Sequence, residues 1–74
     1  MLKIEKRIAC AEALAVYNLL EPSVKKKIPK DLVKYFEENT SKNIKVAITD
    51  EIPLDMQQIS EEGWVLIKHM YKYM

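Results

Sequence analysis

The fold of this chain is decided by a run of small residues inside a helical pattern, Ala9-Cys10-Ala11-Glu12-Ala13-Leu14-Ala15. Apolar residues recur at the helical period through this run and on both sides of it, at Ile4, Ile8, Ala11, Ala15 and Leu19. Alanine is the best helix former, and a strip without bulky side chains lets another helix approach closely. We therefore predict a helix over residues 3–20 with a surface that a second helix can pack against.

Two prolines divide the middle of the chain. Pro22 ends the first helix, because it lacks an N–H donor and restricts the residue before it. Residues 22–27 are expected to form a short turn, and Pro29 opens a second main helix over residues 29–39. The apolar stripe of this helix consists of Ile28, Leu32, Val33 and Phe36.

The segment that follows has the pattern of a strand. Apolar and other residues alternate with period two from Ile44 to Thr49, which is typical of a half-buried strand. No second strand pattern is present in the sequence to pair with it. We predict an extended arm over residues 44–55, anchored by Ile52 and Leu54. The arm either packs on the helices or forms half of an intermolecular sheet.

The last helix is predicted over residues 61–73. Ser60 is an N-cap residue, and Glu61 and Glu62 occupy the first turn, where the helix dipole favours acidic side chains. Apolar and aromatic residues cover more than half of the circumference of this helix. The chain is therefore predicted to be a mainly α, single domain over residues 1–74, a small bundle of three main helices.

A set of short motifs begins with the Lys-Ile-Pro-Lys element at 27–30 and the helix that it opens, and it continues through 48–50, 53–54 and 58–62. These motifs resemble a recurrent pattern in short uncharacterised helical proteins of Clostridia-type bacteria. The resemblance covers residues 16–73 and implies the same architecture of helix, arm and last helix, with no known activity. Gly63-Trp64 departs from the pattern, and a glycine weakens a first helical turn, so the start of the last helix stays open.

The inventory of reactive residues excludes most kinds of active site. Cys10 is the only cysteine, so no disulfide forms within the chain, and its alanine neighbours indicate a buried thiol. Together with His69, the only histidine, it cannot supply the three or four ligands of a zinc site. A chain whose only glycine is Gly63 cannot build a phosphate-binding loop. We predict no catalytic residue, no metal, no cofactor and a protein that is not an enzyme.

Charge and hydropathy bear on location and partners. The formal net charge of +1 gives no global field that would attract nucleic acid or anionic lipid. Residues 1–7 alternate apolar and charged side chains, and no apolar run approaches the ~18 residues of a membrane span. We expect a cytoplasmic protein that has no membrane contact and no small-molecule substrate.

The last helix carries the residue types that are enriched in protein interfaces. Because it is apolar over more than one face, it must bury more than one face, either in its own core or against a partner. A domain of this size hides only about 60% of its unfolded surface, which makes association a natural supplement to its stability. The candidate interface residues are Trp64, Ile67, Met70, Tyr71, Tyr73 and Met74.

A basic cluster lies between the first two main helices, at Lys25, Lys26, Lys27, Lys30 and Lys34. It could contact phosphates, but it lacks the arginines and interleaved aromatic residues that base readout and stacking use. A solvated lysine face is the simpler interpretation. The sequence therefore predicts a non-enzymatic helical module that binds a protein partner or itself, with a small nucleic-acid-associated regulator as the alternative.

Overall fold

The chain folds as a succession of helices, with no β-strand among residues 3–74, the part that the computed structural model describes. The helices are α1 (Ile4–Leu19), α2 (Pro22–Lys25), α3 (Lys30–Glu38), a 3-10 helix (Leu54–Met56) and α4 (Glu61–Tyr71). The predicted mainly α bundle with three longer helices is confirmed. Residues 1 and 2, which belong to the predicted domain and N-terminal segment, lie outside the described residues.

Helix α1 is the centre of the molecule. Its five consecutive residues from Ala9 to Ala13 are each no more than 8% exposed. Since successive residues of an α-helix are about 100° apart, five of them go once around the axis, so this stretch is enclosed on every side. Both α3 and α4 pack against α1. The sequence predicted that the small side chains let a second helix approach closely; in the structure they let neighbours surround the helix.

The two prolines direct the chain from α1 to α3. Pro22 is at the start of α2, where a missing N–H leaves no helical hydrogen bond unmade. The predicted turn at residues 22–27 is therefore a single short helix followed by a turn. Pro29 precedes α3 and caps it with its carbonyl oxygen, which accepts hydrogen bonds from the N–H groups of Leu32 and Val33 at 3.1 and 3.3 Å.

The arm is extended but is not a strand. From 44 to 48 its apolar side chains are half-buried, while Lys45 and Ala47 between them are exposed, so the predicted alternation is present. Ile48 packs against the hydrophobic core, and Ile44 and Val46 lie beside the outer face of α1. Of the two possibilities for the arm, the structure has it packed on its own chain.

At the end of the arm, a glutamine side chain makes the backbone hydrogen bonds that a neighbouring strand would otherwise make. The side-chain oxygen of Gln57 accepts a hydrogen bond from the Thr49 N–H at 2.9 Å, and its amide nitrogen donates to the Thr49 carbonyl at 2.6 Å. The chain between these residues forms the 3-10 helix, which was not predicted from the sequence. Leu54 packs on the core as expected of an anchor, whereas Ile52 stays largely exposed.

Helix α4 begins where its capping signals predict. The Ser60 side chain accepts a hydrogen bond from the Gly63 N–H at 3.0 Å, so the glycine does not delay the start of the helix. One face of α4 enters the core, where Ile67 and Met70 are fully buried together with Phe36. Ile67 and Met70 were predicted interface residues, and the structure corrects this because neither side chain reaches the surface.

Candidate functional site

A part-buried polar junction joins α1 to the start of α4. Glu12 is the buried charged side chain in the described part of the chain, at 5% exposure. Its carboxylate accepts two hydrogen bonds from Ser60, one from the backbone N–H at 3.0 Å and one from the hydroxyl. The carboxylate thus lies at the positive end of the α4 dipole, where negative charge is favourable. This junction fastens α4 to α1.

The junction explains why residue 63 is a glycine. A Cβ built at Gly63 would overlap the Glu12 carboxylate and approach the Ile59 side chain at 3.0 Å. Its backbone is ordinary helix with no positive φ, so space and not backbone conformation requires glycine here. From the sequence, Gly63 was expected to weaken the first turn of the last helix, and no role was predicted for Glu12. The signal that could have identified it is the single charge in the alanine-rich run.

Two nucleophile-type side chains, Cys10 and Ser60, have structural contacts. Burial raises the pKa of the Cys10 thiol, and the opposing effect of Lys6 is the smaller of the two. Cys10 is fully buried, so it is an uncharged thiol that packs as a small apolar side chain. The Ser60 hydroxyl both donates to Glu12 and accepts from Gly63. Each group has a structural role.

The remaining titratable groups do not assemble into a metal site. Within residues 3–74, no group of three or more His, Cys, Asp or Glu side chains is placed to hold a metal ion. His69 is exposed on α4, and its ring meets that of Tyr73 edge-on at a centroid distance of 6.3 Å. No helix in the same residues is long and apolar enough to cross a membrane.

The predicted interface divides into a buried and an exposed part. Tyr71, Tyr73 and Met74 are exposed, and Trp64 is half-buried against the core. Partial burial raises the pKa of the Tyr71 phenol, so it is uncharged at neutral pH. Together with the buried Ile67 and Met70, these residues do not form one surface. Of the predicted interface residues, Tyr71 is the one that lies beside exposed apolar residues of other elements.

Four exposed apolar side chains from different elements lie around two adjoining clefts. Leu19 of α1, Ile52 of the arm and Tyr71 of α4 line a cleft of about 270 Å³, and Ile52 and Met56 line the next one. Ile52 and Gln57 belong to both clefts, so the surface is continuous. We name Leu19, Ile52, Met56 and Tyr71 the arm–α4 patch. Of these four residues, only Tyr71 was among the interface residues predicted from the sequence.

A second apolar depression runs between the other flank of α4 and α3. It has a volume of about 540 Å³, and we name it the α3–α4 groove. Leu32 and Tyr35 of α3 and Val65 and Leu66 of α4 form its apolar lining. Its other lining residues are Lys68 and His69 of α4 and the C-cap residue Lys72, so the groove has a basic edge and no acidic lining residue.

The basic cluster is only partly free. The amino group of Lys25 lies 5.5 Å from the centre of the Tyr17 ring of α1, a cation–π contact that holds α2 against α1. The other four lysines of the cluster are exposed: Lys26, Lys27, Lys30 and Lys34. The structure therefore places four of the five predicted basic residues on the surface.

Comparison with protein-family models, curated proteins and solved structures finds no match to this chain. The resemblance to the short Clostridia-type proteins consequently stays a prediction.

Proposed function

We propose that this protein is a non-enzymatic interaction module and that the arm–α4 patch is its contact surface for another protein. The observation that carries the proposal is the exposure of the four patch residues, which ranges from 40% for Tyr71 to 74% for Met56. Single exposed apolar residues are ordinary on protein surfaces, but a contiguous group of large ones is typical of interaction sites.

The chemistry of the patch suits a protein partner. Tyr71 offers a large ring with a polar hydroxyl, which is a frequent energetic centre of interfaces. Met56 is unbranched and polarizable, so it can adapt to the shape of a partner. Removing apolar surface from water contributes about 25 cal/mol for each Å², which favours covering these side chains. The clefts beside Ile52 give a partner side chain a place to insert.

The non-enzymatic part of the proposal rests on the state of the reactive groups. The Cys10 thiol is fully buried and its pKa is raised, so the nucleophilic thiolate is disfavoured. The Ser60 hydroxyl is fixed as the cap of α4, because it accepts from the Gly63 N–H while it donates to Glu12, and no histidine takes part in these hydrogen bonds. Nucleophilic catalysis uses a group that is free to attack and a base that a third group orients, and the capping role of Ser60 argues against such a use.

The test is affinity capture from an extract of the source cells with a variant that removes part of the patch. Ile52→Ser combined with Met56→Ser lowers its apolar character at two exposed positions and leaves the core intact. The matched control is Ile4→Ser, which changes an equally exposed residue elsewhere. A captured protein is identified by mass spectrometry and then titrated as a purified protein.

We expect the partner to bind the original chain and the Ile4→Ser control, and to bind the double variant at least about tenfold more weakly. Equal binding by all three proteins would contradict the role of the arm–α4 patch. Retention that disappears when the extract is treated with nuclease would favour nucleic acid as the partner and overturn the proposal.

The competing proposal is a nucleic-acid-associated regulator, and the four exposed lysines of the basic cluster favour it. Such binding would weaken steeply with added salt, because lysine–phosphate contacts release counterions. The measurement is retention on DNA and RNA columns at low salt. No retention would rule out the nucleic-acid role, and salt-sensitive retention that Lys30→Glu abolishes would establish it.

A further inference from the structure

The outer face of α4 carries a short pattern of exposed residues. Glu61, Val65, Lys68 and Lys72 follow one another at spacings of four, three and four, which places them on one side of the helix. All four are exposed, and Val65, the apolar one, is 63% exposed. We name these residues the α4 stripe. Nothing in the described part of the chain covers it.

The stripe is symmetric about its own midpoint. Residues 61 and 72 are equally far from the point between residues 66 and 67, and so are residues 65 and 68. When a second copy of α4 runs antiparallel across that point, Glu61 of each copy faces Lys72 of the other. Val65 of each then faces Lys68 of the other, whose methylene stem covers apolar surface while its amino group stays in water. The stripe is complementary to itself.

The α3–α4 groove provides the space that such a pairing needs. Val65 lines the groove together with Leu32 and Tyr35 of α3. A helix laid over the groove buries this apolar lining, which is the common way in which a helix binds between two others. A two-fold axis makes the arrangement mutual, since each α4 lies over the groove of the other copy.

We propose that two copies of this chain form an antiparallel, two-fold dimer through the α4 stripe and the α3–α4 groove. This inference rests on the proposed role as an interaction module, but it uses residues outside the arm–α4 patch. Charge complementarity identifies the occupant, because the groove has a basic edge at Lys68 and Lys72 and the same helix supplies acids at its start. A parallel pairing would bring Glu61 against Glu61 and Lys72 against Lys72, so the charges also select the orientation.

Two single charge reversals test the pairing. Glu61→Lys places two lysines face to face across the dimer, and Lys72→Glu does the same with two glutamates. We expect each variant alone to associate at least about tenfold more weakly than the original chain, because facing like charges disfavour an interface. A mixture of the two variants restores both attractive pairs and forms a heterodimer. Molar mass is measured by light scattering on a size-exclusion column over a range of concentrations.

The controls separate pairing from general charge effects and from misfolding. Glu21→Lys and Lys26→Glu make the same reversals at the exposed N-cap and C-cap residues of α2, and they should leave the dimer unchanged, alone or mixed. The two α4 reversals oppose the helix dipole, so helix content is followed by circular dichroism. Recovery of the dimer on mixing requires both variants to be folded, so it shows that neither variant lost association through misfolding.

An original chain that stays monomeric at all concentrations overturns the dimer. So does a dimer that the two α4 reversals leave unaffected, or a mixture that stays monomeric while both variants are folded. The Ile52→Ser, Met56→Ser double variant should dimerise like the original chain. Failure of the dimer therefore leaves the partner-binding experiment on the arm–α4 patch to be decided separately.

Discussion

At Gly63, the missing Cβ lets the Glu12 carboxylate of α1 reach the first turn of α4. In a helix, glycine is about 1 kcal/mol less favourable than alanine, which is why the residue looks unfavourable from the sequence. That cost is offset by the two hydrogen bonds from Ser60 to a charged group, each worth about 1.5–3 kcal/mol. Glycine is favourable at position 63 because of Glu12, which lies 48 residues before Ser60 along the chain.

We expect Gly63→Ala to lower the free energy of unfolding by about 1–3 kcal/mol, despite the better helix propensity of alanine. The added methyl group overlaps the Glu12 carboxylate and forces it or α4 to move. The measurement is urea denaturation followed by circular dichroism.

The control is the same substitution in a Glu12→Ala background, which removes the overlapping carboxylate. There the cost of Gly63→Ala should shrink or change sign, since the two residues are coupled only through their contact. An equal cost in both backgrounds would show that Glu12 is not the reason for the glycine.

At the scale of the element, helix ends could be predicted to within about two residues. The predicted ranges 3–20, 29–39 and 61–73 compare with helices over 4–19, 30–38 and 61–71. Caps and prolines act on the four or five residues beside them, so their effect is present in the local sequence. The 3-10 helix was missed, because its hydrogen bonds from Met56 and Gln57 close only a single short turn with no periodic pattern.

The arm shows what periodicity alone leaves undecided. Alternation of apolar and polar side chains predicts which residues face the protein, and it did so correctly for 44–48. It does not determine what satisfies the backbone, since a strand neighbour and a side chain can both do so. Here the carboxamide of Gln57 forms hydrogen bonds with the Thr49 backbone. It also donates a hydrogen bond to the Ile52 carbonyl at 3.0 Å.

We expect Gln57→Ala to loosen the end of the arm without unfolding the helices. Losing three part-buried or exposed hydrogen bonds should cost about 1–2 kcal/mol and speed hydrogen exchange at the Thr49 amide. Amide exchange is measured by NMR, with α1 as the internal reference. Gln58→Ala, which alters an exposed glutamine next in the chain, is the control and should leave Thr49 exchange unchanged.

At the scale of the whole molecule, the burial of α4 is set by where α1 and α3 lie. The sequence placed apolar residues over more than half of this helix, and therefore left open which side enters the core. The structure turns Gly63, Ile67 and Met70 inward and leaves Val65, Tyr71 and Tyr73 at the surface. A mostly apolar helix has no periodic signal strong enough to choose between these arrangements.

Two identical substitutions on the last segment test this orientation. Met70→Ala should cost about 2–5 kcal/mol of unfolding free energy, because it leaves a cavity among fully buried side chains. Met74→Ala, at an exposed residue, should change it by less than about 0.5 kcal/mol. Thermal and urea denaturation of both variants provide the comparison. Similar losses in the two variants would contradict the observed orientation of α4.

The sequence by itself determined the helical class, the positions of the caps and prolines, the close approach of another helix to the alanine-rich helix and the facing of the arm. These properties depend on propensities, periodicity and contacts within a few residues. The tertiary structure alone decided the role of Gly63, the buried side of α4 and the joining of Leu19, Ile52, Met56 and Tyr71 into one surface. The physical reason is that these features arise from contacts between residues far apart in the chain, which no local pattern contains.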